Sequence, residues 1–349
     1  MHMADALITP IVSGAMYVAS GAVITYGIKK VKPQENLKTV SLMGIMGAFV
    51  FSAQMINFTI PGTGSSGHFC GAMLLSAILG PYAAFLTMAG ILLLQCLLFA
   101  DGGVLALGCN IWNMAFYGCF MGGFVIWNTF MKGKITSFKI VGASLLGSII
   151  ALQLGAFSVV LQTSVSGVTE LPFNLFLITM QPIHLAIGIM EGLITSTVLC
   201  FIYKTRPDIL WHAGYTENLS TPKATCISFK SILCVLAATA LVIGGLLSLF
   251  ASSQPDGLEW SIAKISNERE LTASGTAYEY ANSLQNQTAL LPDYAFKNSD
   301  SILGTSLSGI VGCLLIIGIC FITCFILRLT LKRKNINHTP KNIYDYEQD

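Results

Sequence analysis

The chain has 349 residues, 54% of them hydrophobic and only 10% charged, with a mean hydropathy of +0.69. Soluble domains are about 25% charged, so the composition excludes an ordinary soluble protein and indicates a polytopic membrane protein embedded in a lipid bilayer. A formal net charge of +2 excludes little as a total; the positions of the basic residues carry the information, and no nucleic-acid partner is expected.

The chain opens MHMADALITP. A secretory leader would place Lys or Arg before the first apolar run and a small-residue cleavage site after it. Neither is present, so this start is expected to be kept. Methionine removal needs a small second residue, and His2 is large. A terminal amine, the next amide nitrogen and the Nδ1 of a histidine at position two can chelate one metal in fused five- and six-membered rings. Ionising the amide needs a strong Lewis acid such as Cu²⁺ or Ni²⁺, and square-planar nitrogen sets suit these ions. Otherwise His2 is an incidental residue beside a start codon. Asp5 either supports such a site or caps the first helix.

A spanning helix needs about 20 apolar residues. Runs near 7–28, 38–56, 68–79, 80–99, 104–129, 138–162, 173–203, 231–250 and 304–328 predict an all-α protein of about nine transmembrane helices, the 68–79 run being short. Small residues at Ala15 and Ala19, and at Gly44, Ala48 and Ser52, have the spacing that lets helices approach closely. They serve either internal packing or docking of a partner subunit. No Asp, Glu, Lys or Arg occurs from Thr39 to Ala100.

Within that charge-free stretch, INFTIPGTGSSGHFCGAMLL places His68 at the end of a span. An ionisable residue there is by default a functional candidate, and His68 could close a square begun at Met1 and His2. Its alternative role is bonding to backbone carbonyls at a helix end. The formal G-x-G-x-x-G at 62–67 lacks a βαβ setting and a following acidic residue, so no dinucleotide site is read. Next, FADGGVLALGCNIWNM supplies Asp101, Asn110 and Asn113. Asp101 either orients a liganding imidazole or makes a turn with Gly102 and Gly103. In MQPIHLAIGIMEGLIT, His184 and Glu191 share one helix face two turns apart. They serve interhelical bonding or transport.

A polar seam at 211–230 reads as a linker between two modules, 1–210 and 231–335. The second holds two spans around a polar insert, 251–303, and the tail 336–349 reads as disordered. Basic clusters set orientation. They follow the first span (Lys29, Lys30, Lys32), the fifth (Lys132, Lys134, Lys139), the seventh (Lys204, Arg206, Lys223, Lys230) and the ninth (Arg328, Lys332, Arg333, Lys334). Placing all four in the cytoplasm puts the N-terminus, His68 and the insert on the outer side. The ten Cys show no C-x-x-C and read as small hydrophobes. No P-loop, H-E-x-x-H or G-x-S-x-G occurs, so ATP hydrolysis through a P-loop and intramembrane proteolysis are not expected.

The stretches MHMADALITP, INFTIPGTGSSGH, FADGGVLALGCNIWNM and PIHLAIGIMEGLIT resemble the metal-binding permease of cobalt/nickel energy-coupling-factor (ECF) transporters, the CbiM/NikM family, over about the first 205 residues. The second module, with PDGLEWSI from Pro255 and LPDYAF from Leu291, resembles the CbiN/NikN-type accessory protein with its PDGLE domain. The resemblance implies that the Met1 amine, the His2 amide and imidazole, and His68 bind Ni²⁺ or Co²⁺ as transported substrate, without an organic cofactor. It also implies separate partners: a transmembrane coupling subunit (CbiQ/NikQ-like) and a pair of cytoplasmic ATPases (CbiO/NikO-like). The chain would be a transport subunit of the inner (cytoplasmic) membrane rather than an enzyme. The competing class is a self-contained metal channel or a metal-dependent membrane enzyme. Four in-plane nitrogens tilt the choice of metal to nickel.

Overall fold

The computed structural model describes residues 1–31, 37–211, 228–268, 271–297, 301 and 303–336. Most of the expected linker and the tail beyond 336 lie outside the described residues, as do Lys32 and Lys223. The chain starts with an extended segment holding a single 3₁₀ turn, Asp5–Leu7. Helix α1, Pro10–Lys30, follows. Thr9 caps it by accepting the Val12 amide, and Pro10 occupies the first turn, where its missing N–H costs nothing.

Helix α2, Leu37–Gln54, leads into a hairpin of β1, Asn57–Ile60, and β2, Ser65–His68, paired antiparallel with Asn57 opposite His68. Gly71 then turns the chain at φ 82°, where a Cβ would meet Val50 at 2.5 Å, so both conformation and space demand glycine. The short α3, Ala72–Leu79, ends at Gly80, and Pro81 starts α4, Pro81–Leu98. Helix α5, Leu107–Phe130, is wound in the wider π form over Ile111–Trp127. Its Gly118 and Gly123 let α3 approach so closely that Cβ atoms there would strike Ala72 and Ser76. The two longest helices of the first module, α6, Ser137–Ser166, and α7, Phe173–Thr205, pack along each other through Gly188 on Ile149 and Gly192 on Leu145.

The second module contributes α8, Phe229–Gly245, then α9, Gly257–Ser266, α10, Thr276–Thr288, and α11, Leu303–Ile336. Helices α8 and α11 cross backbone to backbone at Gly244 and Gly309. Both lie on α2, where the Cys313 Sγ reaches the Ala48 carbonyl at 3.5 Å. A Cβ on Gly44 would come 3.0 Å from Cys320. The Gly44/Ala48/Ser52 stripe is therefore covered from within the chain, and internal packing accounts for it. Ala15 on α1 stays exposed, with open space beside Gly14 and Gly21.

Six described helices are long and apolar enough to cross a bilayer, with Phe229–Gly245 shorter, and α2 is an 18-residue apolar helix. All nine apolar runs contain helix, but they are not nine equivalent spans. The 68–79 run is the end of a strand plus an eight-residue helix, about 12 Å long. Some basic ends meet: Lys38 and Arg206 both lie over the Phe229 ring, and Tyr203 donates to the Ile135 carbonyl in the loop that holds Lys132 and Lys134.

Candidate metal centre

The first nine residues run mostly inside the protein, with Ala4 exposed. Met3 and Ile8 are fully buried among the helices. The Thr9 amide donates to Ser166 Oγ at the end of α6, whereas the Met1 methyl packs over Gly155. Eleven residues of helix separate these points, so the N-terminus dips about 16 Å along α6. Asn110 grips the segment as a strand would, taking the Met3 amide at 2.7 Å and giving its Nδ2 to the Met3 carbonyl at 3.2 Å. Asn113 donates to Met3 Sδ and exchanges two bonds with Gln162. Asp5 does not cap α1. Its Oδ1 takes the Ala106 amide at 2.9 Å and so ties the segment to the turn before α5. Burial raises its carboxyl above the usual range, against the amides of residues 104–106.

This anchoring brings the three sequence-predicted ligand residues together. His68 Nε2 lies 3.3 Å from the Met1 amine, and the His2 and His68 rings stack with centroids 5.2 Å apart. Metal–nitrogen bonds of about 2.0 Å place neighbouring donors in a square about 2.8 Å apart, so the amine and His68 Nε2 stand near that spacing. His2 Nδ1 points elsewhere, 3.1 Å from Asp101 Oδ1, while Nε2 lies 3.3 Å from Gln95 Oε1. The ring must turn for Nδ1 to join a chelate. Burial, the amine and His2, in that order, push His68 down to about 3, and His2 is lowered chiefly by burial. Both imidazoles are thus held neutral, as metal ligation requires. Among the described residues no three His, Cys, Asp or Glu side chains form a metal-binding group. The donor set here escapes that pattern because two of its nitrogens belong to the backbone.

Of the remaining candidates, Asp101 sits in its turn and also faces His2. Glu191 is buried and accepts the Cys70 and Gly71 amides at 2.9 and 3.2 Å, fixing the backbone next to His68. His184 donates Nδ1 to the Met180 carbonyl of its own helix. The two therefore act separately.

Four site residues were missed. Gln95 bridges His2, Gln54 and Tyr294, and Tyr294 donates to Asp101 Oδ2 at 2.6 Å. Asp256 accepts the terminal amine at 2.9 Å. Asp256 and Tyr294 both lie in the polar insert, within the two motifs PDGLEWSI and LPDYAF, and those motifs were the available signal. The insert's backbone continues the hairpin: Ser66 N donates to the Pro255 carbonyl and Ser252 N to the Asn57 carbonyl. Cavities of about 410 and 310 Å³ approach His2 between the modules, both lined by Asp101, Glu259 and Asp293.

Comparison with known proteins gives a consistent set of likenesses. The family described as cobalt uptake substrate-specific transmembrane region matches residues 2–209, and the PDGLE domain matches 230–329. A putative fused nickel transport protein NikMN of Archaeoglobus fulgidus is 32% identical over 92% of this chain and 97% of its own. A probable fused nickel transport protein LarMN of Lactiplantibacillus plantarum is 31% identical over 62% of this chain and 69% of its own. A crystal structure of a truncated transition metal transporter superposes with a TM-score of 0.51 at 31% identity, covering 58% of this chain and 98% of that one.

Proposed function

Since the chain belongs to the cobalt uptake substrate-specific transmembrane family, with a PDGLE domain fused in the same polypeptide, we propose that it is the metal-capturing component of an ECF-type importer driven by separate ATPases. It takes Ni²⁺, in preference to Co²⁺, from the outer face of the cytoplasmic membrane and passes it inward. The observation that carries this reading is the convergence of the Met1 amine on His68 beside the His2 ring. The His2 amide and imidazole complete four nitrogens around one ion. The transported metal is substrate, and the work of moving it falls to a coupling subunit and an ATPase pair. The nine-segment arrangement belongs to the same reading, with the basic ends cytoplasmic and the site end outside.

In this mechanism the protein sets the amine and His68 in place and holds the His2 ring beside them. Asn110 sets the height of the Met1–Met3 backbone, Glu191 fixes the backbone at 70–71, and Gln95 with Asp101 holds the His2 ring, which leaves Asp101 and turns Nδ1 inward on binding. Binding displaces a proton from the amine and one from the amide, so affinity falls in acid. The test is titration of the purified chain with Ni²⁺ and Co²⁺. His68→Ala should lose more than the about 10–100-fold typical of an outer-shell partner while remaining folded. One Gly placed before Met1, confirmed by intact mass, moves His2 to position three, adds a second amide nitrogen to the chelate and leaves no plane position for His68, so its Ni²⁺ absorption band should change. Wild-type affinity in His68→Ala together with an unchanged band in the extended protein would remove this site.

A further inference from the structure

We propose that Asp256, from the second module, is the built-in counter-charge of the metal site and the residue that positions the terminal amine. The inference rests on the metal-capture reading above. Asp256 is the N-cap of α9, and its two oxygens are divided. Oδ1 takes the Leu258 and Glu259 amides at 2.8 and 2.9 Å. Oδ2 takes the Met1 ammonium at 2.9 Å. The carboxylate is thus locked by its own helix with one oxygen presented to the site.

Each residue of Pro255-Asp256-Gly257-Leu258-Glu259 serves this placement. The Pro255 carbonyl takes the Ser66 amide, which docks the segment on the hairpin that carries His68. Gly257 lies against α7, where a Cβ would come 2.7 Å from Ile183 and 3.1 Å from His184. Leu258 is buried at 2% exposure. Glu259 accepts the Asp256 amide and closes the capping box. The motif is a device for delivering one carboxylate oxygen to one amine.

Charge accounting explains why that oxygen is useful. Before metal binds, Asp256 faces the single positive charge of the ammonium. A dication entering the four-nitrogen set displaces one proton from the amine and one from the His2 amide. The dication and the amidate together again carry one positive charge. The coordinated amine keeps two hydrogens, one of which can still reach Oδ2. Asp256 therefore neutralises the same charge in both states, and loading leaves no uncompensated charge in a buried site. Asp101 faces the His2 ring and the Tyr294 hydroxyl instead, so Asp256 is the carboxylate in contact with the amine.

The experiment compares the full-length wild type with Asp256→Asn, Asp256→Glu and His68→Ala by Ni²⁺ titration and the Ni²⁺ absorption spectrum. Asn caps a helix as well as Asp, so α9 keeps its start. Asp256→Asn should weaken Ni²⁺ binding about 10–100-fold without moving the absorption band, since no coordinating atom has changed. Asp256→Glu, which keeps the charge, should recover most of the loss. Wild-type or tighter binding by Asp256→Asn would overturn the proposal, the latter by showing that the carboxylate competes with the metal. Equal loss in both variants would overturn it in favour of a purely structural seat. Undiminished binding by His68→Ala would instead remove the metal site itself, so the two failures are distinguishable.

Discussion

Two imidazoles kept neutral beside an ammonium have a cost in acid. In the folded chain burial, the amine and His2 push His68 down from its ordinary 6.5 to about 3, and burial shifts His2 in the same direction. Between those values the unfolded chain binds more protons, so stability is complete above about pH 6.5 and is lost as pH falls. Asp256, held below its ordinary 3.8, adds a further loss only beneath that value. The metal-free protein should therefore melt at constant temperature above pH 7 and lose stability from pH 6.5 to 4. The slope for one such group approaches about 1.4 kcal/mol per pH unit. His68→Ala should flatten the curve over this window. An unchanged slope in that variant would show that other groups titrate there.

At the scale of elements, the seat of α9 on α7 is a close contact between the modules. Gly257→Ala would force a methyl into Ile183 and His184. Such overpacking costs about 1–3 kcal/mol. A lower melting temperature and faster proteolysis within 251–303 should follow; unchanged values would mean that α9 is not held there. The helical runs themselves were legible in the sequence, because long apolar stretches free of charge have few other solutions. The pairing of His2 with His68 was also legible, since the basic clusters put both residues on the same side. Three features were not. The hairpin at 57–68 is too short and glycine-rich to show an alternating pattern. Gln95 carries no charge and disappears into an apolar helix. The Asp256 contact joins residues 255 positions apart, and no local periodicity encodes it. The motif around Asp256 was visible, but its ability to cap a helix and hold an amine with the same carboxylate was not.

For the whole molecule, the two small-residue stripes separate into an occupied face and an open one. Gly44 and Ala48 lie under α11, whereas Ala15 faces outward. Substitutions should divide accordingly. Gly44→Leu should destabilise the chain by the about 1–3 kcal/mol of overpacking. Ala15→Leu should leave stability within about 0.5 kcal/mol and Ni²⁺ affinity unchanged. If α1 is the face on which the coupling subunit docks, Ala15→Leu should lower co-purification with that subunit and uptake in cells. Full uptake by Ala15→Leu would move the docking face elsewhere.

The distance along the chain between Met1 and the residues that enclose it has a consequence for biosynthesis. The pocket is completed by Asp256 on the amine and Tyr294 on Asp101, so it cannot close fully until the chain through residue 294 has left the ribosome. At about 5–20 residues per second, Tyr294 is synthesised roughly 15–60 s after Met1. Through most of that interval the residues that would ligate the ion are already made, while the counter-charge that completes their pocket is still to come.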